Sequence, residues 1–388
     1  MSNTRTYLDF NATAPLRAQA RAAMVAALDC IGNASSVHGE GRAARALIEA
    51  ARRDVGALAG VPAGGVVFTS GGTEAANLAL TPSLRIGKDR RDFDLLLVSA
   101  GEHPCILEGH RFPAEQVLVL PVGPSGQVDI AALDEALAQS EGKRPLLALQ
   151  AANNETGVIQ PVCEAAAKVR AVGGATVCDA VQAFGRIPCA VESIAADVLT
   201  LSAHKVGGPK GAGALVFADE NDHIGHVLVR GGGQERGQRA GTENVPAIAG
   251  FGAAARAAGA NGAAEAEHTK GLRDALEKAV LRIAPDAVIF GADAERLANT
   301  SCFAVPGTSA ETLLMALDLD GVAVSSGSAC SSGKVGKSHV LAGMGVDPAL
   351  ARGAIRVSFG WSSRETDVEH FARAFSVAIE RIQRRRAA

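Results

Sequence analysis

The chain has 388 residues, 47% hydrophobic and 20% charged, enough to bury a substantial core and to form one large domain with a smaller one beside it. A formal net charge of −3 gives no electrostatic ground for expecting nucleic acid or an acidic membrane surface as a partner. No apolar run is long enough to span a bilayer, and the N-terminus lacks the basic region and apolar block of a signal peptide. The seven cysteines, at 30, 105, 163, 178, 189, 302 and 330, form no Cys-x-x-Cys pair, which argues for reduced thiols and a cytoplasmic setting, against a disulfide framework or structural zinc.

In chain order, apolar residues at Ala44, Leu47, Ile48, Ala51, Val55 and Leu58 predict a helix over 43–58. Short Val/Leu-rich runs predict strands at 66–69, 95–99, 146–150, 176–179, 198–202 and 214–217. Their alternation with helical patterns means a mostly parallel sheet with helices on both faces, the α/β class. The alanine-rich stretch 248–282 reads as a long helix leaving this unit, with an interruption at Gly259-Ala260-Asn261-Gly262. Beyond it lies a smaller α/β unit with strands at 301–305 and 355–359 and a loop around Cys330. The Arg384-Arg385-Arg386 run reads as a solvated helix end.

Several of these elements end in reactive or ion-binding groups. Val66-Val67-Phe68-Thr69-Ser70-Gly71-Gly72-Thr73 is a strand breaking at two glycines into a helix, so free N–H groups and the helix dipole converge at Gly72 and Thr73 as a phosphate cradle. The spacing is neither a Walker loop nor a dinucleotide fingerprint. Asp179 falls at the carboxyl end of the 176–179 strand, and Lys205 follows the strand Leu199-Thr200-Leu201-Ser202 through Ala203-His204 into the glycine-rich Val206-Gly207-Gly208-Pro209. Ligands collect outside the carboxyl ends of strands in an open α/β sheet. A desolvated lysine there can condense with an aldehyde, for which pyridoxal phosphate is the obvious candidate, and a carboxylate can hold the ring nitrogen protonated. Taken singly, Lys205 reads as readily as a solvated loop cation, and Asp179 as a turn residue or helix cap. Together they favour the cofactor. Arg356 lies in the alternating run Ala354-Ile355-Arg356-Val357-Ser358-Phe359 and, if buried, needs either a bound anion or an internal Asp or Glu. Cys330 sits among Ser325, Ser326, Gly327, Ser328, Ser331, Ser332 and Gly333, a run too polar for a core.

These segments, with Tyr7-Leu8-Asp9-Phe10-Asn11-Ala12-Thr13, Gly32-Asn33-Ala34-Ser35-Ser36-Val37-His38 and Arg236-Gly237-Gln238-Arg239-Ala240-Gly241-Thr242-Glu243-Asn244, resemble in identity and order those of the cysteine desulfurases, housekeeping and nitrogen-fixation type, within the class V aminotransferases. The resemblance covers nearly the whole chain. It implies a fold type I pyridoxal-phosphate-dependent transferase whose N-terminal segment joins the small domain, so the expected division is 16–258 for the large cofactor-binding domain and 1–15 with 259–388 for the small one. Ala34 stands where the family commonly has proline and Ala14 where a second threonine is frequent.

The implied activity is conversion of L-cysteine to L-alanine, with the sulfur taken by Cys330 as a persulfide and passed to an iron–sulfur scaffold or another acceptor protein. Lys205 would hold the cofactor and shuttle the proton, Asp179 would pair with the ring nitrogen, and His103, in Ser99-Ala100-Gly101-Glu102-His103-Pro104, would stack on the ring and move protons as a further catalytic residue. Asn153 and Gln182 would lie near the phenolic oxygen, where amides can stabilise an oxyanion. Gly72, Thr73, Ser202 and His204 would hold the phosphate. Thr242 would reach the phosphate of the other subunit, which implies a homodimer. Asn11 and Arg356 would bind the substrate, the arginine by clamping its carboxylate. No structural metal is expected, although a Cys330 persulfide could ligate an iron–sulfur cluster. Cys105, at a helix start, and Cys178, in a strand, are poorer nucleophiles. A selenocysteine lyase or a class V aminotransferase would keep Lys205 and Asp179, but an aminotransferase would have no use for Cys330.

Overall fold

The computed structural model describes residues 5–88, 90–327 and 337–387. Seven strands form the main sheet: β1 (Val66–Thr69), β2 (Leu95–Ser99), β3 (Val117–Leu120), β4 (Pro145–Gln150), β5 (Ala175–Asp179), β6 (Val198–Ser202) and β7 (Gly213–Phe217). Their spatial order is β1-β7-β6-β5-β4-β2-β3. Only β7 runs against its neighbours, pairing antiparallel with both β1 and β6. The other pairs are parallel, so the carboxyl ends of six strands share one edge of the sheet.

Both faces of this sheet are covered, which is why its strands read as continuous apolar runs rather than as alternation. Leu97, Leu147, Leu149, Leu199 and Leu201 point to one face, under α1 (Gly39–Ala59) and Phe251. Leu96, Val98, Leu146, Ala148 and Val177 point to the other, under Ala75, Leu78 and Leu80 on and just beyond α2 (Gly72–Ala79). The edge strand β3 was not legible from sequence: Leu118 and Val119 are exposed at the sheet margin, so it lacks the burial pattern of its neighbours.

α3 runs unbroken over Val245–Ile283, 39 residues, so the interruption expected at Gly259–Gly262 does not occur. Each of the two glycines costs roughly 1 kcal/mol against alanine, too little to break an alanine-rich helix packed along its length. Asn261 supports the turn by donating to the Ala257 carbonyl at 2.9 Å. The N-terminal half of α3 gives Phe251, Ala254 and Ala258 to the core over the main sheet, and its C-terminal half gives Leu272, Leu276 and Val280 to a second core.

That second core lies against a four-stranded antiparallel sheet, β8 (Val288–Ile289), β9 (Thr300–Ala304), β10 (Ser325–Ser326) and β11 (Ile355–Ser358), in the order β8-β9-β11-β10. Phe303 meets Phe371 and Phe375 edge-on there, with centroids 6.4 and 5.7 Å away. The N-terminal strand Thr6–Tyr7 pairs in parallel with Val322–Ala323, and Ser358 N donates to the Leu8 carbonyl at 2.8 Å. The following residues, through Asn11, are thereby delivered to the carboxyl edge of the main sheet.

Candidate active site

One cavity opens at that edge, between the main sheet and β11. Gly72, Thr73, His103, Asp179, Gln182, Ser202, His204, Lys205, Asn11 and Arg356 all line it. The topology explains the gathering: Asp179 ends β5, Ser202 ends β6, His103 follows β2 and Gly72 follows β1, and those strands point the same way.

At one end Gly71 precedes α2 with no side-chain cap on the helix, leaving its first N–H groups available to an anion. A Cβ on Gly72 would come within 2.9 Å of Val181 Cγ2 and 3.4 Å of the Ser202 Cβ, so glycine is what lets backbone and hydroxyl approach one point. Glu74 is turned away from that point, accepting from Ser70 N at 2.8 Å and pairing with Arg239 at 2.8 Å. His204 contacts the Thr13 hydroxyl through Nδ1 at 3.2 Å. Its pKa is pushed down to about 4 by burial and by Lys205, Lys210 and Arg186. It is therefore a neutral polar group at pH 7.

Lys205 follows Ser202 on a single tight turn, Ala203–Lys205, which Gly207, at φ +88°, closes by letting Gly208 N return to the Ala203 carbonyl at 2.8 Å. Its Nζ donates to the Asn11 carbonyl at 2.5 Å and the Ala12 carbonyl at 2.9 Å. Asp179 is 9% exposed. Burial raises its carboxyl pKa against the pull of the Val181 N–H, His103, Thr200 and Lys205; a protonated ring nitrogen against it would favour the charged form. His103 Nδ1 accepts from Cys105 N at 3.1 Å, which leaves Nε2 to carry the proton of the neutral ring, and burial lowers its pKa, with Lys205 and His339 acting the same way and Asp179 opposing. Beside it Glu102 is fully buried: Oε1 accepts from Gln150 N at 2.6 Å, and Oε2 has no partner among the described residues. Burial, then Asp179, raises its pKa well above the ordinary carboxyl value.

From the opposite wall Arg356, 1% exposed, donates to Asp9 Oδ1 at 2.8 Å and to the Asn154 carbonyl at 3.1 Å, while its buried Nε has no partner among the described residues. Of the two answers to a buried arginine, the internal carboxylate is present, and the guanidinium keeps donor capacity beyond it. Asn11 Nδ2 donates to Thr300 Oγ1 at 2.9 Å.

Two of the residues named from sequence do not line the cavity. The Asn153 side chain is turned into its own loop, its Oδ1 accepting from Glu155 N, Thr156 N and the Thr156 hydroxyl at 2.9, 2.9 and 3.2 Å and its Nδ2 donating to the Gly101 carbonyl at 3.1 Å. An asparagine that closes an Asx turn spends its oxygen on its own loop, and the adjacent Asn154 lines the cavity instead. Thr242 is exposed on the surface, away from it. Cys330 lies outside the described residues; Gly327, three positions before it, and Ser338 both approach Glu155, a lining-loop carboxyl whose Oε2 accepts from the Ser338 hydroxyl at 2.5 Å. Arg186 was missed altogether. Its position four residues after Gln182 on a turn following a strand was the available signal.

The donor set fits pyridoxal phosphate: an uncapped helix start with Ser202 and His204 for the phosphate, a buried carboxyl for the ring nitrogen, an imidazole beside it and a lysine held by two carbonyls.

The aminotransferase class-V family model matches residues 6–371. The chain is 38% identical over 386 residues to a cysteine desulfurase of Sinorhizobium fredii, covering 98% of each, and 37% identical over 384 residues to an IscS-like cysteine desulfurase of Mycobacterium tuberculosis, covering 97% of each. Among solved structures it superposes on a NifS-like protein from Rickettsia africae with a TM-score of 0.87 at 34% identity, covering 97% of this chain and 99% of that one. Matched almost end to end in both sequence and fold, the chain belongs to the class V aminotransferase family, whose enzymes work with pyridoxal phosphate.

Proposed function

We propose that this chain is a pyridoxal-phosphate-dependent cysteine desulfurase: L-cysteine and the Cys330 thiol give L-alanine and a Cys330 persulfide. The observation that carries this reading is the convergence of Lys205, Asp179 and Arg356 on one cavity, with the buried Nε of Arg356 lacking a partner among the described residues. Relatives named cysteine desulfurase at 38% identity support the choice of reaction over plain amino-group transfer.

Pyridoxal phosphate, when bound, supplies an aldehyde for capture of the amino acid and a ring that stores electrons. The protein's own groups do the rest. Gly72, Thr73, Ser202 and His204 bind the phosphate, and Asp179 keeps a proton on the ring nitrogen. His103 packs against the ring, and Gln182, together with Asn154 rather than Asn153, offers amides to the phenolic oxygen. Arg356 takes the substrate carboxylate with the fork geometry that suits it, and Asn11 borders that carboxylate. Lys205 Nζ moves the proton at the substrate carbon. Cys330 attacks the substrate sulfur, the carbon–sulfur bond breaks, and the proton balance closes at alanine.

The working unit is a homodimer in which Thr242 completes the partner's phosphate site, a role supported by its exposure and by the exposed apolar side chains Ile31 and Val37, at 91% and 88%. The chain divides at 16–258 and 1–15 plus 259–388, with α3 crossing the boundary. The sulfur passes to an iron–sulfur scaffold or another acceptor protein in the cytoplasm.

The test is alanine formation from L-cysteine and L-selenocysteine by the wild type and by Cys330→Ala, with intact-mass detection of one added sulfur. The reading expects a sulfur adduct on the wild type only, and a variant that takes up pyridoxal phosphate but yields almost no alanine from cysteine. Unchanged cysteine desulfuration by the variant would overturn the role of Cys330. A variant that keeps only its selenocysteine activity is what a selenocysteine lyase would give.

A further inference from the structure

Arg186 stands between the cofactor cavity and a smaller cavity behind Lys205 that Arg17, Glu265 and Trp361 also line. Its guanidinium binds three residues of the site. One end nitrogen donates to Gln182 Oε1 at 2.6 Å, to Asn11 Oδ1 at 2.9 Å and to the Gln182 carbonyl at 3.3 Å. The other donates to the carbonyls of Lys205 at 3.3 Å and Phe10 at 3.4 Å. Among the described residues no carboxylate lies within ion-pair distance of it, and its pKa is pushed down to about 10 by burial and then by Arg356 and Arg17. A cation enclosed by amides and carbonyls, with two like charges nearby, is costly to keep. Packing alone does not call for it.

A guanidinium carries donors and no acceptor. Whatever amide atom faces it must be oxygen, which removes the usual freedom of an amide to turn end for end. For Gln182 this puts Nε2 on the far side, where one N–H reaches the Asn11 carbonyl at 3.1 Å and the other is left for the cavity that Gln182 lines. For Asn11 it fixes Oδ1 between Arg186 and Asn299 Nδ2, the latter at 3.1 Å, and aims Nδ2 at the Asn154 carbonyl and Thr300.

We propose that Arg186 is a positioning residue that sets the polarity of the Gln182 and Asn11 amides, so that Gln182 presents a donor and not an acceptor to the phenolic oxygen of the bound cofactor. This rests on the pyridoxal phosphate reading above and adds to it the residue that orients that contact. Lysine in this place keeps the charge but loses the fork, and one ammonium cannot hold the Gln182 oxygen, the Asn11 oxygen and the Lys205 carbonyl in the same geometry.

The test is a double-mutant cycle on the full chain, using Arg186→Lys, Gln182→Ala and the pair, each prepared as holoenzyme for spectra and as apoenzyme for cofactor binding. Two quantities are read: the affinity of the apoenzyme for pyridoxal phosphate by equilibrium dialysis, and the pH midpoint at which the bound cofactor's visible absorbance titrates. Loss of a donor to a charged oxygen moves that midpoint upward by about one pH unit. Each single variant is expected to shift it so and to weaken cofactor binding about tenfold, and the double variant to go no further than Gln182→Ala alone. Arg186→Gln, which offers an acceptor as well as a donor and frees Gln182 to turn over, gives a second shift of the same sign should Arg186→Lys fail to fold. A wild-type midpoint in the arginine variants, or shifts that simply add in the double variant, would overturn the proposal. A wild-type apoenzyme that takes up no pyridoxal phosphate would instead overturn the cofactor reading, and this inference with it.

Discussion

Arg356 on β11 and Asp9 in the N-terminal segment are joined at 2.8 Å across 347 residues of sequence, and the arginine of the pair lines the cavity that Lys205 also lines. The carboxylate makes a buried guanidinium tolerable, and Ser325 Oγ steadies its second oxygen at 2.8 Å. With Asp9 holding one nitrogen and the Asn154 carbonyl another, the arginine is aimed before any substrate arrives.

Arg356→Lys is expected to lower kcat/KM for L-cysteine by roughly 10- to 100-fold, the cost of one or two charge-assisted hydrogen bonds, with most of the loss in KM. Steady-state alanine formation over a range of cysteine concentrations checks it. A loss confined to kcat would place the arginine in the chemistry and not in carboxylate binding.

Asp179→Asn keeps the shape of the side chain and the hydrogen bond from Val181 N but removes the negative charge. The variant is expected to retain visible cofactor absorbance while turnover falls on the order of 100-fold, because an amide holds a protonated ring nitrogen less well than a carboxylate. Near-normal turnover would mean that another group protonates the ring. Lys205→Ala, by contrast, should abolish turnover outright, since among the described residues no other lysine lines the cavity.

Glu155 gives a pH dependence with a definite sign. Burial raises its pKa from 4.5 to about 7, against smaller opposing effects from the Ser338 hydroxyl and Arg356. The folded chain therefore binds more protons than the unfolded one between those values, and stability falls as pH rises. Its contribution is complete below 4.5 and lost as pH climbs through about 7, a difference on the order of 3 kcal/mol. Glu155→Gln, which cannot ionise, should flatten this descent. His204, with its lowered pKa, acts in the opposite direction below neutrality in both proteins, so the difference between the two denaturation curves at pH 5 and pH 8 isolates Glu155. Parallel curves would show that the carboxyl titrates normally.

Much of the molecule was legible in the residues because its signals are local. Buried parallel strands are uninterrupted apolar runs, so six of the seven main-sheet strands stood out, and Lys205, Asp179 and the Gly71-Gly72-Thr73 turn could be placed at strand ends from spacing alone. β3 escaped for the complementary reason, since an edge strand with exposed Leu118 and Val119 has no burial pattern to read. What only the tertiary structure decided depends on contacts between distant segments. The glycines at 259 and 262 read as a break, yet packing against two cores carries α3 straight through them. Asn153 and Asn154 are equivalent in composition, and the direction of one loop decides that the first closes a turn while the second faces the cavity. Arg356 was recognisable as a cation in need of an anion, but its Asp9 partner follows from the meeting of β11 with the N-terminal segment. Arg186 carried almost no sequence signal, because its role lies in which oxygens surround it, and those come from Asn11, Gln182, Lys205 and Phe10, brought together only when the N-terminal segment docks on the carboxyl edge of the main sheet.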